Sequence, residues 1–295
     1  MRSVAAVAKA TALEILSEPL TLLVLLAALA MAVLAPAFHY HQFGEATRMA
    51  RDAGFSAMFT CGSVVAVFGT IRAFRREMES GTVQMALSHP VSRGGFFVAK
   101  ATGAFVAYLA FAATVFGVSL AIVEGARVGG AVAARTGDIA RLSGPFLAAG
   151  VAVILLPLAL GAVLNRFARF RFVLTAMVTA LVLAVLAGGV SAALDPALLP
   201  RYSPVAVLLL SPALVLVAAS AAFAVRLKAN AAAAAVGVVV ALCIPAVGNY
   251  YMADSLSRGG VLPWGYVALA SLAAAPAALA FALLGLRFIG GRDLS

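Results

Sequence analysis

Residues 74–100 read FRREMESGTVQMALSHPVSRGGFFVAK and form the most polar long stretch of a chain that is otherwise close to continuous hydrocarbon. Of its 295 residues, 64% are hydrophobic and 11% charged, and the mean hydropathy is +1.08. A soluble domain is about half apolar and about a quarter charged. A water-facing fold cannot bury this excess, so the solvent for most of the chain is a bilayer. The expected fold is all-α, a polytopic transmembrane helical bundle forming one domain over residues 1–295.

A spanning helix needs about 20 mostly apolar residues. Segments 20–38, 54–72, 96–123, 144–164, 172–194, 204–225, 231–248 and 264–286 qualify, which gives six to eight spans with eight preferred. Only RLKAN separates the sixth from the seventh, and this pair can also be read as re-entrant. The APA at 35–37 resembles a cleavage site, but Glu14 and Glu18 precede an apolar run too long for a signal peptide, so the first span is read as retained. Residues 1–19 then form an interfacial N-terminal helix along the cytoplasmic membrane surface.

The net charge of +10 follows from topology rather than from nucleic-acid binding. With the N-terminus inside, eight spans place 14 Lys and Arg on the inner side and 7 on the outer, the bias that cytoplasmic loops carry. Both termini are then cytoplasmic, and a bacterial inner membrane is the expected location. The outer loops, 39–53, 124–143, 195–203 and 249–263, are too short to fold as domains.

Several chemistries are absent. No ionisable residue falls in the middle third of any span, whereas ion-coupled carriers place one on their pathway. There is no His-Glu-x-x-His, no Gly-x-Ser-x-Gly and no Gly-x-x-x-x-Gly-Lys-Ser/Thr phosphate loop, so the chain reads as no enzyme and as unable to bind ATP in the usual way. Cys61 and Cys243 lie in apolar runs as small hydrophobes. His39 and His41 share a face if extended and are the weak metal candidates; an interfacial aromatic loop is the plainer reading, as Trp264 and Tyr266 suit an aromatic belt.

In the polar stretch, the second span continues as a helix through FRREME. Ser80-Gly81-Thr82 breaks it, and Ser80 or Thr82 can cap a helix of about two turns, VQMALSH. Pro90 ends that helix by pushing its neighbour out of helical geometry, and Ser92 caps the next. Val83, Ala86 and Leu87, with Met85 beside them, give the short helix an apolar edge suited to a groove on another protein or to the lipid interface.

This stretch resembles the signature of exporter-class (type-2) permeases of ATP-binding-cassette transporters, through Arg76-Glu77, Gly81-Thr82, Leu87-Ser88-His89-Pro90-Val91-Ser92-Arg93 and Lys100. The permease of the nitrous-oxide reductase maturation system is similar in this pattern. The resemblance covers residues 1–125 and 245–295, and the familiar plan has six spans. It implies a cytoplasmic coupling region at 73–95, docking on a separate ATPase subunit that binds ATP and Mg, and a second permease chain, identical or related, in the membrane lipid. On that reading Arg76 and Glu77 brace the base of the second span by pairing with Arg93 or the partner. Gly81 is the hinge, with Thr82 beside it in the motif, and Val83, Met85, Ala86 and Leu87 dock, ended by Pro90. A non-transporting scaffold or sensor recruiting a partner through the same helix is the alternative. The substrate is not legible in the residues.

Overall fold

A computed structural model describes residues 2–37, 46–79, 92–136, 144–247 and 261–290, and all regular structure among them is helical. In chain order the helices are α1 Arg2–Leu16, α2 Pro19–Leu34, α3 Ala46–Val64, α4 Thr70–Glu79, α5 Arg93–Thr136, α6 Gly144–Ala168, α7 Phe172–Leu194, α8 Leu198–Arg226, α9 Ala229–Val247 and α10 Trp264–Gly290. A π-helical segment, Val65–Gly69, joins α3 to α4 without a break.

Within the described residues all eight segments expected to be apolar spans are helical, but their lengths differ from the hydropathy reading. Among the described residues six helices are long and apolar enough to cross a membrane, or seven if α1 and α2, bent by 63°, count as one broken span. That count falls within the expected six to eight. At 16 residues α2 is about 24 Å long, short of a hydrocarbon core of about 30 Å. Ala229–Val240 counts only as a shorter apolar helix. Conversely α5 runs for 44 residues, about 66 Å, so 124–136 is helix where a loop was expected. Hydropathy registers the apolar middle of a helix and is blind to polar turns that continue it.

The chain divides into two compact units, one of Met1–Leu16, Ser63–Leu109 and Val207–Ser295, the other of Ser17–Gly62 and Ala110–Ala206. In the first, α1 buries Thr11, Ala12 and Ile15 while Lys9, Ala10 and Leu13 stay exposed. This one-sided helix, expected to lie along the membrane surface, has its buried face covered by protein. Gly103 of α5 permits the contact, since a Cβ there would run into the Ala8 carbonyl, and a Cβ on Gly69 would meet Ile15 at 2.9 Å. α4 packs on α1 and α9, and the rings of Phe74 and Phe97 lie 5.5 Å apart in the core. Gly285 of α10 makes room for the Phe97 ring.

In the second unit α6 and α7 pair closely, with α2 against both. The buried stripe of α7 is Ala176, Ala180, Ala184, Gly188 and Ser191, small residues one helical turn apart. Such residues let helix backbones approach closely in a bilayer, where no hydrophobic force draws helices together. Gly117 of α5 sits on Ala184 and Gly188. Near the end of α7, Arg127 grips Glu124 (Nε–Oε2 2.7 Å) and reaches Asp195 at 3.5 Å, so Glu124, 1% exposed, lies buried with its charge met.

The close approach gives a paired prediction. Gly117→Ala drives a methyl into the Ala184 backbone and is expected to destabilise by about 1–3 kcal/mol. Gly189→Ala meets nothing within 4 Å and is expected to be neutral or slightly stabilising. Thermal unfolding of the purified chain in detergent, followed by circular dichroism, measures both.

Candidate functional site

The described residues of the polar stretch flank segment 80–91 at the end of α4 and the start of α5. Gly81, Thr82, Val83, Met85, Ala86, Leu87 and Pro90 lie outside the described residues, as do Ser80, His39 and His41. Arg76, Glu77 and Arg93 are described, and Arg93 is exposed as the first residue of α5. Ser92 caps that helix as expected. Its hydroxyl accepts from the Gly95 amide at 3.0 Å and its carbonyl from the Phe96 amide at 2.9 Å.

The centre of the site is Lys100, which has no exposed surface. Its Nζ lies 3.0 Å from a carboxylate oxygen of Glu77 and donates to the carbonyl of Ala73. The rings of Phe74 and Phe96 stand 5.5 and 5.7 Å from the ammonium, close enough for a cation–π contribution. A buried charge is tolerated when paired and hydrogen-bonded, and this ammonium has two oxygen partners and two aromatic neighbours. Both oxygens come from one face of α4, four residues apart.

Two neighbouring arginines fasten the same short helix elsewhere. Arg75 donates from Nη1 to the Leu227 carbonyl at 3.0 Å, just beyond α8. Arg76 stands 3.6 Å from Glu14 of α1. Arg76 and Glu77, expected to pair with Arg93 or the partner, have Glu14 and Lys100 as described partners. The pairing of Glu77 with Lys100 was missed in the sequence. Its signal was an apolar run, FFVAK, carrying one lysine among residues fit for burial, since such a lysine needs a carboxylate close by.

The π segment sets the register of this pair. An α-helix turns by about 100° per residue, and a π turn accommodates one residue more than an α turn. Helix α4 is therefore rotated by about 100° from where an uninterrupted continuation of α3 would place it. Without the surplus residue, Arg72 and Arg76 would occupy the positions of Ala73 and Glu77, and Lys100 would face like charge. Thr70 reinforces the segment, its hydroxyl donating to the Ala66 carbonyl at 2.6 Å.

No group of three or more potential metal-ligating residues occurs among the described residues. Cys61 is a half-buried free thiol.

The asymmetry of burial yields a prediction. Lys100 has no exposed surface, whereas the Glu77 side chain keeps 29% of its own although its Oε2 is buried. Removing one member of a buried pair costs about 3–5 kcal/mol when the other stays desolvated. Glu77→Ala is thus expected to destabilise by about 3 kcal/mol and Lys100→Met by less than half of that, as measured by denaturant or thermal unfolding of the purified chain.

Comparison with known proteins bears on the same region. No curated protein and no solved structure matches the chain. A family model described as "ABC-2 family transporter protein" matches residues 23–171, just over half of the chain, and takes in α3, α4, segment 80–91 and α5. The helical bundle, the paired ends of the polar stretch and this match agree: the chain belongs to the ABC-2 transporter family of membrane permeases.

Proposed function

We propose that the chain is the membrane-spanning subunit of an ATP-driven exporter, and that segment 80–91 receives the motion of a separate ATP-hydrolysing subunit. The observation that carries this reading is the Glu77–Lys100 pair. It ties together the two helix ends from which the segment departs, so a displacement of the segment acts on α4 and α5 jointly. Val83, Met85, Ala86 and Leu87 supply the docking face, Gly81 the hinge, Thr82 a helix cap, Pro90 the stop, and Arg93 the charge at the return into the membrane. Nucleotide and Mg belong to the partner.

The distribution of Lys and Arg supports a cytoplasmic location for this segment and for both termini, in a bacterial inner membrane. In that topology α2 crosses, extended by the turn at 35–37, and α9 supplies the further crossing that returns the C-terminus to the inner side. A second permease chain, identical or related, completes the transporter. Uncharged span interiors favour a hydrophobic or amphiphilic cargo, or a mechanically driven event on the outer side, as in metalloenzyme maturation.

Leu87→Asp places a charge on the docking face and Gly81→Pro stiffens the hinge. Each is expected to lower the ATPase activity of the reconstituted complex at least about tenfold, a loss equivalent to about 1.4 kcal/mol. Leu87→Asp is expected also to reduce co-purification of the ATPase. Unchanged turnover and unchanged co-purification in both variants would rule out the coupling role.

A further inference from the structure

The turn between α6 and α7 carries the sequence Arg166-Phe167-Ala168-Arg169-Phe170-Arg171-Phe172, in which basic and aromatic residues alternate. Every residue from Arg166 to Arg171 is exposed. Phe167 is 80% exposed and Phe170 59%, although most other phenylalanines described are packed against neighbours. Arg169 adopts φ 55°, the left-handed conformation that reverses the chain within a few residues. Among the described residues none of the three arginines pairs with a carboxylate. The sequence supplies none nearby either, since no Asp or Glu occurs from Ile139 to Leu194.

The apolar half of this turn continues a lipid-facing surface. Leu156, Leu160 and Val163 are exposed along α6, and Phe167 extends the same stripe by one turn. Only 22% of the apolar window of α6 and 28% of that of α7 is buried within the chain. Two exposed phenylalanines at the end of such helices sit at the depth where hydrocarbon gives way to headgroups, and three guanidinium groups stand beside them.

We infer that residues 166–171 form a binding surface for anionic lipid headgroups, with the arginines holding phosphodiester oxygens and Phe167 and Phe170 wedged among the acyl chains. The fit is chemical. Guanidinium presents a planar pair of donors to a phosphate, aromatic side chains favour the interface, and uncompensated basic clusters beside spans attract anionic lipid. An acidic protein face would also meet the arginines, but it would not account for phenylalanines continuous with the lipid-facing stripe. The inference does not depend on the ATPase reading, because it follows from this hairpin alone.

A single reporter tests it. Trp264 is the one tryptophan, so Phe167→Trp with Trp264→Phe moves the indole to the turn of the full-length chain. Brominated phosphatidylglycerol and brominated phosphatidylcholine are then compared as quenchers in mixed vesicles. The expected result is about tenfold stronger apparent binding of the anionic lipid, lost on raising the salt and in the Arg166→Gln, Arg169→Gln, Arg171→Gln triple variant. Equal quenching by both lipids would overturn the inference, as would no quenching by either, the outcome expected if the turn is covered by protein. Should the reporter variant not fold, thermal unfolding of the unmodified chain decides. A salt-sensitive rise on adding phosphatidylglycerol, absent in the triple variant, supports the site, and no such rise rejects it.

Discussion

An ammonium group with no exposed surface, in a chain that is 64% hydrophobic, constrains everything near it. Lys100 cannot be desolvated alone, so α4 must end where its Glu77 carboxylate and its Ala73 carbonyl both reach the ammonium. That requirement fixes the rotation of α4, and through Arg75 and Arg76 it fixes where the residues after α8 and the helix α1 meet it. Buried ion pairs add little net stability compared with well-packed apolar residues, but they penalise wrong registers heavily. Here the wrong register is concrete, because a one-residue rotation would turn Arg72 and Arg76 toward Lys100.

Close packing elsewhere depends on what side chains leave out. Gly103 admits the Ala8 carbonyl, Gly117 admits Ala184, and Gly285 admits the ring of Phe97. In a bilayer, dispersion at short range and local hydrogen bonds must hold helices together, and both need backbones that nearly touch. Helices α6, α7 and α10 differ. Each buries a small part of its apolar window, down to 11% for α10, and presents the rest outward. These two kinds of helix share a composition and separate only in three dimensions.

That separation marks what the sequence could carry. The class of fold was legible, because no soluble core can absorb this hydropathy, and so was the helix cap at Ser92. The partners were not legible. Which residues face Glu77 depends on a π segment in VAVFG, a run with no feature that distinguishes it from ordinary helix. Residues 124–143 were read as a loop because the apolar run ends at Val123, yet α5 continues past it and Glu124 lies buried there beneath an exposed Arg127. The span count, expected at six to eight, is six or seven by length and apolarity among the described residues, because the helix of one apolar run, α2 at 16 residues, is short.

The geometry at the base of α4 and α5 also bears on how force could travel. A segment joined to two helices by independent ends would, when pushed, first splay those ends apart, and much of the displacement would be lost there. The 3.0 Å contact between Glu77 and Lys100 closes the loop just inside its exits and opposes that motion. Arg76 extends the closure to α1 through Glu14, and Arg75 extends it to the carbonyl of Leu227. On the proposed reading, a push on residues 80–91 would meet a braced unit. The element adjoining it is the π segment, one turn before Ala73, where the helix accommodates one surplus residue.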